Sequence, residues 1–309
     1  MTTNKHFYRA FGMGITSDIE MKELTKSNQI SDVSIMRADL IDEWFHIKPG
    51  NRRFLVSEEE LFFEIKNVGV FRVRGGQTIL YDPFPMIENR QLKLFLLGTC
   101  MGAILMQRKV LPLHGSAVII GGLAYAVVGE SGAGKSTLAR ALMKRGYKLI
   151  SDDILPIQFK EGVPYITSSY AQQKLWVESL DLFKMDTEPY ESIMARETKY
   201  NVPAGHHFYD GEVELAGIFE LSKSERTDIT LIEINGLQTF PVLFQHTYRK
   251  SFLERMGLTE WHFNVTAQLA ASVQIYKLNR PQHKITAEEL ADYVTKTAQK
   301  ERSSYAKAK

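Results

Sequence analysis

The chain has 309 residues, 44% of them hydrophobic and 24% charged, with a formal charge of +2 and a single cysteine. That balance excludes an intramolecular disulfide and gives no charge excess that would call for nucleic acid or an anionic membrane as a partner. The length permits a large core in one domain or two, and with no secretory leader visible a cytoplasmic protein is expected.

Residues 1–90 read as a small, mainly β domain. The stretches 54–56, 61–65, 70–73 and 78–81 are short β-prone runs parted by turn signals such as Gly75-Gly76. They carry no evident chemistry, and a scaffold is the default reading. The apolar run 94–106 that follows is too short to cross a bilayer and reads as a buried helix, with Cys100 packed rather than nucleophilic.

Residues 91–309 read as a nucleotide-binding catalytic domain. Runs 117–120 and 123–128 flank Gly121-Gly122, a connection suited to a tight hairpin. The second run leads into GESGAGKST, residues 129–137, where Gly129, Gly134, Lys135 and Ser136 satisfy the phosphate-loop pattern. Together with Gly132 the glycines let the loop turn tightly, so that its N–H groups, those of Ser131, Ala133 and Thr137 included, face phosphate oxygens. Lys135 would reach the outer phosphates, and Ser136 would place its hydroxyl on Mg²⁺. Chance is the competing explanation, but a β-prone run before the loop and helix formers after it supply the context the pattern needs.

Gly146 is the expected C-terminal cap of that helix, and the strand 147–150 ends at Asp152-Asp153, seventeen positions beyond Lys135. At a strand's carboxyl end, one carboxylate can help hold Mg²⁺ while the other accepts a proton from an attacking hydroxyl. His114, just before the hairpin, is placed to lie near the aspartates and tune their protonation. Further strands are expected at 154–159, 163–166, 217–221, 230–234 and 274–278, with helices at 252–256 and 260–271. Thr286 and Glu289 form a capping-box signature ahead of Leu290.

The segment LHGSAVIIGGLAYAVVGESGAGKSTLARALMKRGYKLISDDILPI, residues 113–157, resembles the catalytic core of HPr kinase/phosphorylase. A histidine-glycine hairpin, a phosphate loop and a strand ending in two aspartates recur there in the same order and at similar spacing. The resemblance implies an α/β phosphate-loop kinase core of the HPr kinase / phosphoenolpyruvate carboxykinase type. It also implies ATP and Mg²⁺, a peptide or protein acceptor bearing serine, no nucleic-acid or membrane partner, and a homo-oligomer. Beyond residue 160 the family's glycine-rich second signature is missing, and IMARETKYNVPAG, residues 193–205, takes a different form. YDPFP, QQKLWVESL and FQHTYRKSFLERMGL resemble the shorter homologues found in lasso-peptide gene clusters, which implies the C-terminal serine of a precursor peptide as acceptor. HPr itself, a small-molecule hydroxyl and a non-catalytic ATP-binding regulator are the alternatives.

Carried over by position, the resemblance makes Asp152 the general base, supported by His114, with Lys135 on the phosphates and Ser136 and Asp153 at the metal. The order of the two acids stays open. Lys199 and Arg249 are candidate phosphate or peptide contacts, and a peptide is expected to dock between the N-terminal domain and the core.

Overall fold

Short runs rich in β-branched and aromatic residues make strands of much of the first 83 residues, and some are buried along nearly their whole length, as at 69–73. The computed structural model describes residues 5–48, 50–193 and 198–308, the last seven of these as backbone. Residues 194–197, inside the segment that departs from the family's second signature, lie outside this description. Strands β1 (His6–Ala10), β2 (Met13–Ser17), β3 (Thr25–Lys26), β4 (Val33–Arg37), β5 (Phe54–Val56), β6 (Glu60–Ile65), β7 (Gly69–Arg74) and β8 (Thr78–Pro83) form one mixed sheet. Its order is β3-β1-β2-β4-β8-β7-β6-β5.

Helix α1 (Ile41–Ile47) buries Trp44 against Phe62 and Val70. A second, larger cluster joins the sheet to α2 (Asn89–Phe95) and α3 (Met101–Gln107), which are linked through a π-helical turn at Leu96–Cys100. Phe63, Phe71, Cys100 and Met101 belong to this cluster, and so do Ile154, Tyr170, Phe252 and Met256 from the other half of the chain. The seam between the N-terminal sheet and the core is therefore packed hydrocarbon, with Phe11 edge-on to Tyr170 at 5.8 Å. This corrects the expectation that a peptide docks there, since entry would require opening a continuous core.

The second sheet is built from β9 (Leu111–Ile120), β10 (Leu123–Val128), β11 (Lys148–Lys160) and β12 (Val163–Thr167), then, after a small separate sheet, from β16 (Glu212–Ser224), β17 (Thr230–Ile234) and β18 (Gln274–Pro281). Its order is β10-β9-β11-β12-β16-β18-β17, and β10 also pairs in parallel with β16. That extra ladder closes five strands into a ring. The small sheet, ordered β13-β15-β14, comprises β13 (Gln172–Trp176), β14 (Glu191–Ser192) and β15 (Lys199–Pro203).

Helix α4 (Lys135–Lys144) lies against the ring with Leu138 and Leu142, and α8 (Ala287–Ala308) packs beside it with Leu290 and Val294. The remaining helices are α5 (Val177–Leu182), α6 (Thr239–Gln245) and α7 (Thr259–Ser272). No helix among the described residues is long and apolar enough to cross a membrane.

The β9–β10 hairpin turns at Gly121 and Gly122 with φ of 61° and 88°, the left-handed pair that a two-residue turn requires. Three expectations need correction. The strand carrying the aspartates does not end at them but runs on to Lys160. The helix expected at 252–256 is a 3₁₀ turn, Lys250–Phe252, followed by further turns. Finally, α8 begins where the capping box placed it, yet the box does not form. Among the described residues the Thr286 Oγ1 has no hydrogen-bond partner, and Glu289 is drawn away by Lys284 at 2.6 Å.

Candidate active site

The glycine loop leaves β10 at Gly129, whose φ is 153° and where a Cβ would stand 2.4 Å from the Leu221 carbonyl oxygen of β16. Any side chain would push the loop off the sheet. Gly134, at φ 109°, turns the chain into α4. The first N–H groups of that helix have no intrahelical acceptor, which makes its start an anion-binding end. Lys135 folds back so that its Nζ donates to the carbonyls of Gly129 at 2.8 Å and Glu130 at 3.0 Å. Burial lowers its pKa to about 8, against the favourable field of Asp152.

Opposite the loop, the register of β9 with β11 sets Ser116 beside Asp152, Gly115 beside Asp153 and His114 beside Ile154. Successive side chains on a regular strand point to opposite faces. Here a register slip between Leu149 and Ser151, and a left-handed φ of 76° at Asp153, bring both carboxylates to one cavity.

The two acids then meet different surroundings. Asp152 accepts hydrogen bonds from the hydroxyls of Ser116 and Ser136, the latter at 3.0 Å, and from the Lys174 backbone N–H at 2.9 Å. Burial raises its pKa despite those donors, and the charge of Asp153 adds to the rise. For Asp153, burial would also raise the pKa, but the Lys174 ammonium bonded to it outweighs that and holds it well below the usual carboxylate range. His114 Nδ1 lies 2.9 Å from the Asp153 carbonyl oxygen and 3.5 Å from its carboxylate, and the ring sits 5.9 Å from that of Tyr248. Burial lowers its pKa, so the neutral imidazole is favoured.

These groups share a cavity of about 510 Å³. Among the residues singled out in the sequence, His114, Ser131, Gly132, Gly134, Lys135, Ser136, Thr137, Asp152 and Asp153 line it, as does Lys199. Gly129 and Ala133 stand behind the loop: the Gly129 carbonyl holds Lys135, and that of Ala133 accepts from Arg280 Nε at 2.8 Å. Arg249 is not brought to the cavity; it donates to Thr99 Oγ1 at 2.7 Å. Ser136, expected to share a metal with Asp153, is bonded to Asp152 instead.

Sequence reasoning missed Ser116, Lys174, Lys223 and Arg280. Lys174 left a trace in QQKLW, a lysine in a strand otherwise fit for burial, which signals a buried partner without saying which. Trp176 faces Lys199 across the β13–β15 ladder, with the ammonium 5.3 Å from the ring centroid.

Residues 106–180 match the family model of the HPr Serine kinase C-terminal domain, a span that takes in His114, the glycine loop, both aspartates and Lys174. The HPr kinase/phosphorylase of Clostridium novyi is 31% identical over 173 residues, covering 50% of this chain and 55% of the relative. That of Clostridium acetobutylicum is 48% identical over 61 residues, covering 18% and 20%. The chain thus spans little more than half of the first relative's length, and less of the second's. The Hpr(Ser) kinase/phosphatase structure from Coxiella burnetii aligns with 64% of this chain and 95% of its own, at 13% identity and a TM-score of 0.36. Through its matched segment the chain is related to the HPr kinase/phosphorylases.

Proposed function

We propose that this chain is an ATP-dependent kinase that transfers a phosphoryl group to a serine hydroxyl on a peptide or protein, through a phosphate-loop core of the HPr kinase type spanning residues 91–309. The observation that carries the reading is the pair of buried acids facing the start of α4, one bonded to Ser136 and the other to Lys174. Pure nucleotide binding has no need of the second acid. The finer acceptor, the C-terminal serine of a lasso precursor peptide, rests on the resemblance of the flanking segments alone.

The donor set fits Mg²⁺. Ser136 and Asp152 offer hard oxygen ligands side by side, and no group of three or more ligating residues occurs among the described residues. Mg²⁺ is held in this way, by one or two protein oxygens with phosphate and water completing its shell. When bound it would offset charge on the phosphates.

The chain's own groups then divide the work. Lys135 and the α4 N–H groups bind the phosphates and spread the charge of the moving phosphoryl group. Asp153, kept ionised by Lys174, orients the acceptor hydroxyl and takes its proton as the new O–P bond forms and the bond from the γ-phosphorus to the β–γ bridging oxygen breaks, releasing ADP. His114 holds the Asp153 backbone and stays neutral, so it does not compete for the phosphate. This exchanges the roles carried over by position: Asp152 serves the metal and Asp153 the hydroxyl. The test is intact-mass analysis of a precursor peptide ending in serine after incubation with the protein, ATP and Mg²⁺. Gain of phosphate mass, lost when Asp153→Asn replaces the parent, supports the reading; no gain on that peptide or on HPr, with ATP bound, would sink it.

Lys135 gives a pH prediction. Bound phosphates favour its charged form, so affinity is full below the free protein's pKa of about 8 and declines as pH rises through it. Calorimetric ATP affinity should be flat from about pH 6.5 to 7.5, then fall by up to about tenfold per unit above 8. The Lys135→Met variant should bind weakly with no such fall.

A further inference from the structure

Four consecutive residues after α6 each anchor to another part of the molecule. His246 Nε2 lies 3.1 Å from Glu220 Oε1 on β16, and Thr247 Oγ1 lies 2.8 Å from His262 Nε2 on α7. Arg249 donates to Thr99 in the π-helical turn, and Tyr248 packs along that same turn. The backbone of this strap runs beside the start of β9. The His114 N–H donates to the His246 carbonyl at 2.7 Å, and the Tyr248 N–H to that of Pro112 at 2.8 Å. Leu113 and Thr247 form a bridge between those two bonds.

Three features converge on Tyr248, and phosphate binding calls for none of them. Gly98 and Gly102 leave a bare face for its ring: a Cβ on Gly102 would stand 2.7 Å from Tyr248 Cδ1, and one on Gly98 3.1 Å from its hydroxyl. That face belongs to a single π-helical turn, a feature that recurs at functional sites. Arg249, at φ 54°, takes a left-handed conformation that is costly for a side chain and persists only where its surroundings hold it. Held in this way, Tyr248 also meets the His114 ring, with 5.9 Å between ring centres.

We propose that Tyr248 is a positioning residue for phosphoryl transfer: in contact with both the glycine face and His114, its ring keeps the imidazole on the Asp153 carbonyl and so fixes the carboxylate that faces the acceptor. This rests on the kinase reading above. The imidazole needs such a support. Its one hydrogen bond among the described residues runs through Nδ1 to Asp153, so a second hold on the ring has to come from packing.

The test uses the full chain with Mg²⁺ and the serine-ending peptide, reading single-turnover transfer and calorimetric ATP affinity. The His114 Cε1–H resonance, assigned with His114→Gln, is followed across pH by NMR. Tyr248→Leu should slow transfer about 10²-fold, the cost of a misplaced group, with ATP affinity within about twofold. Its His114 should titrate higher than the parent's, because burial lowers that pKa and the variant admits water. Tyr248→Phe keeps the ring, so it should keep the parent's titration and transfer within about threefold. Gly102→Ala should also slow transfer. Combined with Tyr248→Leu it should be no slower than Tyr248→Leu alone, since the clash goes with the ring. An unmoved titration in Tyr248→Leu, a Tyr248→Phe as slow as Tyr248→Leu, or an ATP affinity that falls in step with the rate would overturn the positioning role. A parent that transfers no phosphate would overturn the kinase reading instead, and the resonance would still decide whether Tyr248 holds the imidazole.

Discussion

Lys174→Met is expected to destabilise the fold by about 3–5 kcal/mol at neutral pH, the cost of leaving one charge of a buried pair alone. The Lys174 side chain is 13% exposed and that of Asp153 14%, and each holds the other charged: Lys174 is raised by Asp153 although burial would lower it. Urea unfolding across pH gives the sign. In the parent, the depressed pKa of Asp153 contributes stability above the usual carboxylate pKa of about 3.9, lost as pH falls through the depressed value. Without Lys174, burial raises the pKa of Asp153, so the variant's penalty is full at pH 7 and shrinks as the medium approaches about pH 4. The double variant Asp153→Asn/Lys174→Met should regain most of the loss. If Lys174→Met alone unfolds at the parent's urea midpoint at pH 7, the pair is not the strong contact described here.

Asp153→Asn should lower the single-turnover rate about 10²–10⁴-fold, the range for a positioned acid–base group, while ATP affinity stays within about twofold. Asp152→Asn should act differently. It removes charge from the carboxylate that bonds Ser136, so the Mg²⁺ concentration needed for half-maximal rate should rise at least about tenfold. Rates measured across a Mg²⁺ titration separate the two. An Asp152→Asn variant with the parent's Mg²⁺ dependence and a collapsed rate would restore the roles expected from position.

Much of the site was legible because its parts are local. The hairpin, the glycine loop and α4 are consecutive, and their residue types dictate their backbone: paired glycines at a turn, glycines where the sheet leaves no room for a Cβ, helix formers after them. The division of labour between the acids was not legible. It depends on a slip of register near Ser151 and a left-handed residue at Asp153, which no periodicity announces. It depends also on Lys174, twenty-one positions from Asp153 and on a separate sheet. The same limit explains Thr286. Its capping signature marked the start of α8 correctly, but Lys284 takes the Glu289 carboxylate, and the buried Thr286 hydroxyl has no partner among the described residues. The docking seam failed for a related reason, since Phe252 and Met256 enter the N-terminal core from far along the chain.

The parallel ladder between β10 and β16 has a consequence for biogenesis. Gly129 rests against the Leu221 carbonyl, so the glycine loop has nothing to lean on until β16 has been made. A ribosome adding about 5–20 residues per second needs roughly 5–20 s to travel from the end of β10 to the end of β16. Through that interval the nascent chain exposes two unpaired strand edges that later close the ring, and it carries a nucleotide loop without its support. The loop becomes competent only once the ring is shut.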